Sequence, residues 1–289
     1  MIDLSARMEV PMKKFLSLLL INAVFIFLFA ACVDRTPQNE PDTTSSPPSS
    51  TEVQPSEPAS SDAYPVETRT QNSIISSDDG KRLITINLSL PSLSGGSEAV
   101  SNINAYYDNA LDKLVSYAEY DLKPAAIEQL KINADQGLDF NEYSLSGDYA
   151  VTLNTKDYLS VSRELDYYTG GAHPGVTLNA ETFDMSNGGL MNLSDVFSVS
   201  KETYMDIIYG EVIAQIEASD AKMDKSNFFE DYRERVKSQY DPADFYLSPD
   251  GITVFYQLYS IGPYVTGVQY YLIPYDKFDG MMKIKISES

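Results

Sequence analysis

The chain has 289 residues with one histidine, one cysteine and no tryptophan, and its formal net charge at neutral pH is -21. A single cysteine excludes an intrachain disulfide, and so few His and Cys side chains argue against a zinc site of the usual ligand set. Nucleic acid is not expected as a partner, because phosphate binding needs clustered cations. The acidity would attract a cationic partner, or it serves only to keep an exported domain soluble.

The N-terminal segment has the features of an export signal. Two lysines follow Met12, and an apolar run then leads to two alanines directly before Cys32. A basic start, an apolar stretch and small residues at its end are typical of a signal peptide, which we place at residues 1–31. The run is also close to the length of a membrane span, so an uncleaved anchor helix is the alternative. Both interpretations place the rest of the chain outside the cytoplasm.

The residues before Cys32 resemble the lipobox of bacterial lipoproteins. In those proteins the cysteine thiol receives diacylglycerol, and cleavage makes the cysteine the new N-terminus. The resemblance implies a lipid-anchored protein of the cell membrane that faces away from the cytoplasm. Residues 32–70 are rich in Ser, Thr, Pro and Glu and hold almost no large apolar side chain, which predicts a disordered linker.

A strand and two helices are predicted at the start of the folded region. Apolar residues alternate over 83–90 and the pattern breaks at Pro91, as in a half-buried strand. Ser97 then caps a segment in which apolar residues recur at helical spacing over 103–118, and a shorter helix follows over 124–132. These helices are expected to cover one face of a sheet.

Three long strands are predicted next. Odd-numbered apolar positions extend over 143–153 and again over 159–167, separated by a turn around Lys156 and Asp157. A third strand spans 176–185. Strands joined by such short turns are expected to pair antiparallel.

The second half repeats this mixture of helices and strands. An apolar stripe at four-residue spacing over 204–216 predicts one helix, and residues 228–236 predict another. Strands are predicted at 244–247, 252–259 and 268–273. The order of elements indicates an α+β fold with two subdomains, each made of antiparallel strands packed with helices.

The single histidine, His173, lies in a glycine-rich segment at 167–175. It could act as a catalytic base, as a structural ring bonded to backbone carbonyls, or as a contact residue at the rim of the domain. No Gly-x-Ser-x-Gly elbow is present to supply a nucleophile, so we do not expect catalysis. The structural role is favoured, because Gly170 and Gly171 suit turn conformations closed to other residues.

Tyrosines crowd the C-terminal strands: Tyr246, Tyr256, Tyr259, Tyr264, Tyr270, Tyr271 and Tyr275. On alternating strands half of them point away from the core, where tyrosine offers contact surface for sugars or proteins at small entropic cost. Core and edge packing explains them equally well. The candidate binding residues are Tyr168, Gly170, Gly171, His173, Pro174, Tyr259 and Tyr264.

Acidic pairs such as Asp78 with Asp79 and Glu230 with Asp231 carry no specific catalytic or calcium signal. A calcium loop requires oxygen ligands at fixed spacing around a glycine, and these pairs lack that pattern. The sequence also lacks a glycine-rich phosphate loop. We expect neither a metal nor a cofactor.

Three motifs in this order carry a resemblance: YYTGGAHPG at 167–175, ETFDMSNGGLMNLSDVF at 181–197 and FYLSPDGITVFYQLYSIGPYVTGVQYYLIPYDKF at 245–278. They are similar to the extracellular domain shared by the anti-sigma factor RsiV and the N-terminal part of the deacetylase PdaC. The resemblance covers about residues 73–278. It implies a PdaC-like subdomain at 71–175 and an RsiV-like subdomain at 176–289, both domains of unknown function.

This resemblance implies binding rather than catalysis. The region binds lysozyme in RsiV, whereas the metal-dependent catalytic domain of PdaC has no counterpart after Phe278. We therefore expect a non-catalytic surface lipoprotein that binds membrane lipid through Cys32 and lysozyme or peptidoglycan through its folded region. The alternatives are an envelope hydrolase or deacetylase accessory that uses His173, and a structural partner within a larger envelope complex.

Overall fold

The computed structural model describes residues 64–220 and 226–286 of the chain. The predicted export signal, Cys32 and most of the predicted linker lie outside the described residues. Within these two stretches, no helix is both long enough and apolar enough to cross a membrane. The architecture is α+β, as the order of predicted elements indicated.

A six-stranded sheet whose strand order follows the chain dominates the first half. Its strands are β1 (Val66–Ser76), β2 (Arg82–Leu93), β3 (Tyr143–Asn154), β4 (Tyr158–Tyr168), β5 (Gly175–Asp184) and β6 (Gly189–Leu190). Neighbouring strands are antiparallel except β2 and β3, which are parallel. This parallel pair departs from the expected antiparallel arrangement. Two helices connect β2 to β3, and a crossover of that length returns the chain in the same direction.

These two helices are α1 (Glu98–Tyr117) and α2 (Lys123–Gln136), joined without a break by a π-helical turn over residues 118–122. Both predicted helices are confirmed, as is the predicted cap, since the Ser97 side chain accepts a hydrogen bond from the amide of Val100. The helices pack on one face of the sheet. Buried residues between helices and sheet include Ile86, Leu88, Ile103, Tyr107, Leu145, Val161, Leu165 and Phe183.

The sheet begins earlier than the sequence indicated. Strand β1 starts at Val66, inside the segment predicted as linker, and pairs with β2 from the contact of Val66 with Leu93 onward. Only Ile75 of this strand is buried, so β1 lacks the alternating apolar pattern that would have revealed it. Strand β2 also continues through Pro91, where the sequence pattern predicted its end. Proline cannot donate a main-chain hydrogen bond, and it is tolerated here because β3 pairs with β2 only as far as Leu88, which leaves that edge of β2 open.

A β-bulge in β3 divides a row of apolar residues between two cores. The odd positions up to Val151 face the helices, but the register shifts between Val151 and Leu153. Leu153 then packs with the residues of the second half instead. An extra residue in one strand reverses the face of every later side chain, which simple alternation cannot show.

The second half contains α3 (Leu193–Val196), α4 (Lys201–Asp220), α5 (Tyr232–Ser238) and a three-stranded antiparallel sheet of β7 (Phe245–Leu247), β8 (Gly251–Tyr256) and β9 (Gln269–Pro274). The predicted strands and the helix over 204–216 are confirmed, except that the strand predicted over 252–259 ends at Tyr256 and leaves Tyr259 in the following loop. The helix predicted over 228–236 is shorter, because the amide of Phe229 donates to the carbonyl of Ile261 before α5 begins.

The small sheet packs on the face of β4 and β5 that α1 does not cover. Leu178 of β5 joins Phe255, Leu258 and Val268 in a shared apolar cluster. The amide of Leu247 donates to the buried hydroxyl of Ser160 at 3.0 Å. The predicted division between residues 175 and 176 therefore falls at the start of β5, a strand that belongs to the first sheet and carries the contact with the second.

Candidate binding site

A histidine and two tyrosines meet where the loop after β4 touches the loop after β8. The ring of His173 stacks on that of Tyr264, with centroids 3.9 Å apart and planes inclined by 26°. The hydroxyl of Tyr259 lies 3.4 Å from Nε2 of His173. Together with Pro174 these residues form what we call the His173 cluster. It joins segments that are 86 residues apart in the chain.

The carbonyl of Pro174 organises the polar contacts of the cluster. It accepts a hydrogen bond from the hydroxyl of Tyr264 at 3.1 Å and lies 3.0 Å from Nδ1 of His173. A proton on Nδ1 makes the second contact a hydrogen bond and leaves Nε2 able to accept one from Tyr259. This tautomer satisfies each ring nitrogen.

The loop after β8 is held in place by a side-chain amide. Gln257 donates from Nε2 to the carbonyl of Leu178 at 2.7 Å, and its Oε1 accepts from the amide of Leu178 at 3.1 Å. The side chain thus pairs with β5 as a neighbouring strand residue would. Two residues later Tyr259 adopts a φ of 65°, the one positive value among the non-glycine residues that the structure describes. Such a conformation is costly for a bulky residue and persists only where surrounding contacts hold it.

The loop after β4 depends on two glycines. Gly170 has a φ of 82°, in the left-handed region that favours glycine. Gly175 lies against the ring of Tyr167, and a Cβ atom there would be 2.3 Å from Cζ of that ring. No side chain fits at Gly175 without displacing Tyr167, so glycine allows the close approach that positions His173 and Pro174.

The cluster is open to solvent. His173 is exposed, Tyr259 is 44% exposed and Val265, beside Tyr264 in the chain, is 63% exposed. Burial raises the pKa of Tyr264, and the nearby Tyr259 and Asp166 raise it further. Burial also raises the pKa of Asp166. The phenols are therefore neutral at physiological pH, and the carboxyl group of Asp166 lies at the edge of the cluster.

Four of the seven candidate residues selected from the sequence meet in this cluster, and three lie beside it. Tyr168 ends β4, where it pairs with Ser144, and Gly170 adjoins the ring of Tyr143. Gly171 is exposed, with open space where a Cβ would lie. The sequence reasoning missed Gln257 and Val265. No local sequence signal marks either residue, because the exposure of Val265 and the contacts of Gln257 follow from the tertiary structure.

Most other tyrosines of the C-terminal strands are packing residues. Tyr256 and Tyr271 are buried, and Tyr246 and Tyr270 pack against the cluster around Phe255. The hydroxyl of Tyr275 donates to the carbonyl of Ser248 at 2.7 Å. The tyrosine contact surface expected along the C-terminal strands is therefore limited to the loop that carries Tyr259 and Tyr264.

The immediate surroundings of His173 are phenols and a carbonyl. The described residues contain no group of three or more His, Cys, Asp or Glu side chains that could hold a metal ion. An arrangement of stacked rings with neutral hydroxyl groups is suited to contact and hydrogen bonding.

Each half of the chain contains a segment that matches a known protein family. Residues 77–175 match the family described as deacetylase PdaC, and residues 194–276 match a family described as a protein of unknown function, DUF3298. The chain combines a PdaC-like and a DUF3298-like segment. This confirms the resemblance that the three sequence motifs indicated. A search of the curated proteins found no match.

Solved structures of DUF3298 proteins share the fold. A member of that family from Bacteroides fragilis is 22% identical, with a TM-score of 0.57, and the match covers 78% of this chain and 95% of that one. A DUF3298 family protein from Pseudomonas aeruginosa is 18% identical, with a TM-score of 0.55, and the match covers 77% and 95%. Each match covers more of this chain than either family segment alone, so the fold shared with these structures includes both segments.

Proposed function

We propose that this protein is a non-catalytic binding protein of the cell envelope, held to the membrane by lipid on Cys32, whose contact surface is the His173 cluster. Its partner is an envelope component or a cationic protein such as lysozyme. The observation that carries the proposal is an exposed, internally bonded group of aromatic rings in a chain of net charge -21.

The cluster has the properties of a contact surface. Stacking and hydrogen bonds hold its rings in one arrangement, so little conformational entropy is lost when a partner binds. Asp166 and the acidic balance of the chain favour a basic partner, and electrostatic attraction increases the association rate. The PdaC-like segment supports an envelope location for that partner.

Calorimetric titration of the region from residue 64 to 289 with lysozyme and with soluble peptidoglycan fragments tests the proposal. Tyr259→Ala should weaken binding about tenfold, the effect of losing an aromatic contact worth about 1.4 kcal/mol. Tyr120→Ala is the matched control, because Tyr120 is 79% exposed but lies in the turn between α1 and α2. Equal affinities of the two variants for a ligand that binds would rule out the His173 cluster as the contact surface.

Salt dependence separates specific contact from bulk attraction. Binding that survives moderate salt indicates a shaped interface, whereas binding that disappears indicates charge attraction alone. The same preparations should be assayed for peptidoglycan turnover. Turnover that His173→Ala abolishes in a folded protein would replace the binding proposal with the hydrolase alternative.

The lipid anchor is tested in cells. Labelled fatty acid should be incorporated into the wild-type protein but not into Cys32→Ser if Cys32 is the lipidation site. Absence of label from the wild-type protein would instead support the uncleaved anchor helix.

A further inference from the structure

A pocket of about 100 Å³ opens between α1 and the six-stranded sheet, on the opposite face from the three-stranded sheet. It forms where β2 and β3 separate, because the register that pairs them ends with Leu88 and Gly147. Gly147 has no side chain to fill the space, and a Cβ there would lie 3.0 Å from Leu88 and 3.5 Å from Leu165. A side chain at Gly147 would therefore press against the leucines that line the pocket.

The pocket has an apolar wall and a basic lining. Leu88, Leu90 and Leu165 contribute from the sheet, and Ala110 and Leu114 from α1. The charged side chains on this side are those of Lys113 and Arg163. Asp148 and Glu164 also adjoin the pocket, but they alternate with Gly147 and Leu165 along their strands, so their side chains leave on the other face.

The two cations are not equivalent. Arg163 is bonded through Nε to Glu181 at 2.9 Å, and Glu181, which is 3% exposed, also accepts a hydrogen bond from Tyr106 at 3.2 Å. Lys113 has no ion-pair partner among the residues that the structure describes. One positive charge therefore remains uncompensated at the pocket, in a protein that is strongly acidic overall.

We propose that this pocket binds a small aliphatic carboxylate, with its carboxylate at Lys113 and its hydrocarbon portion against the leucines. A water position needs about 10–15 Å³ of such space, so the pocket has room for a ligand of roughly eight non-hydrogen atoms. Charge complementarity selects the carboxylate, and the leucine wall selects a branched or straight hydrocarbon chain. The site is independent of the His173 cluster and of the function proposed for it.

Isocaproate and its uncharged amide, isocaproamide, have this size and differ only in the charged group. We expect saturation-transfer NMR to detect both with the wild-type protein at millimolar affinity. Isocaproate should bind about threefold more tightly, the ratio expected for a partly exposed ion pair. Absence of saturation transfer to isocaproate would overturn the proposal.

Two variants with matched controls locate the ligand. Gly147→Val should abolish binding of both compounds by filling the pocket, while Gly210→Val, in open space on α4, should leave binding unchanged. Circular dichroism verifies that each variant is folded. Isocaproate that still binds to folded Gly147→Val would place it elsewhere and overturn the proposal.

Lys113→Gln tests whether Lys113 recognises the carboxylate, and this test does not depend on the glycine variant. It should lower isocaproate affinity to that of isocaproamide and leave isocaproamide binding unchanged. Lys131→Gln, on the exposed side of α2, should alter neither. Unchanged isocaproate binding in Lys113→Gln would exclude recognition of the carboxylate by this lysine.

Discussion

The two faces of β4 and β5 are held to their neighbours by different kinds of polar interaction. On the face toward α1, a buried ion pair joins Arg163 of β4 to Glu181 of β5 in an apolar core, and Glu181 accepts a hydrogen bond from Tyr106 of α1. On the face toward the three-stranded sheet, neutral groups make the connection, through Ser160 and Gln257. A carboxylate accepts the hydrogen bond from the helix of the same segment, whereas neutral hydrogen bonds connect the two segments.

This difference has an energetic consequence. A buried ion pair contributes little net stability, but removing one partner leaves a charge without compensation. A neutral side-chain hydrogen bond contributes about 1 kcal/mol and costs somewhat more when one buried partner is orphaned. The face toward α1 should therefore be the more sensitive to single substitutions.

The largest effect is expected for Glu181→Ala. It leaves the guanidinium of Arg163, 14% exposed, without its carboxylate and should lower the free energy of unfolding by about 3 kcal/mol. Urea denaturation measures this change. The double variant Glu181→Leu with Arg163→Met should recover most of the loss, and a double variant as unstable as the single one would refute the assignment of the cost to the orphaned charge.

A smaller effect is expected for Gln257→Ala. It removes both hydrogen bonds to the main chain of Leu178 and should cost about 1–2 kcal/mol. Because Gln257 holds the loop of Tyr259, partner binding should weaken together with stability. Gln239→Ala, at an exposed position, is the control and should change neither. A loss of stability equal to that of Glu181→Ala would show that the two faces do not differ in their sensitivity to substitution.

The smallest effect is expected for Asp166→Asn. Burial raises the pKa of Asp166 above its usual value near 3.8, so its ionised form is disfavoured in the folded state. The folded protein binds the proton more tightly, and stability falls as pH rises from below 3.8 through the raised pKa. Asp166→Asn removes this penalty and should stabilise the protein by less than about 1 kcal/mol at neutral pH, since the group is partly exposed.

Urea unfolding across the acid range checks the sign of this effect. The advantage of Asp166→Asn should vanish below pH 3.8, where the wild-type carboxyl is protonated in both states. An advantage that persists there would mean that the substitution acts through packing instead of charge.

The sequence predicted elements well where apolar residues recur at the period of a strand or helix. Strands β4 and β5, strand β3 as far as Val151, and the helices α1 and α4 each bury one continuous side, so the pattern determines them. Strand β1 was missed because its stability comes from pairing with β2 and not from burying its own side chains. The bulge at Val151 was missed for a similar reason, since a register shift leaves no local signature.

The candidate site was predicted in part. His173 and Pro174 stood out as a single histidine and a proline in a glycine-rich segment, and Tyr259 and Tyr264 among the tyrosines assigned to the C-terminal strands. Gln257 could not be recognised, because its role depends on the main chain of Leu178, 79 residues away. A side chain that substitutes for a strand neighbour has an ordinary sequence context.

The sequence by itself determined the α+β class, the position of the long helices and strands, and the two family segments, because local periodicity and motifs encode these. Only the tertiary structure decided which residues meet: the His173 cluster, the Arg163–Glu181 pair and the pocket at Gly147. Each joins residues that are distant in the chain, and their contacts follow from strand register and loop docking, which depend on the packing of the whole domain.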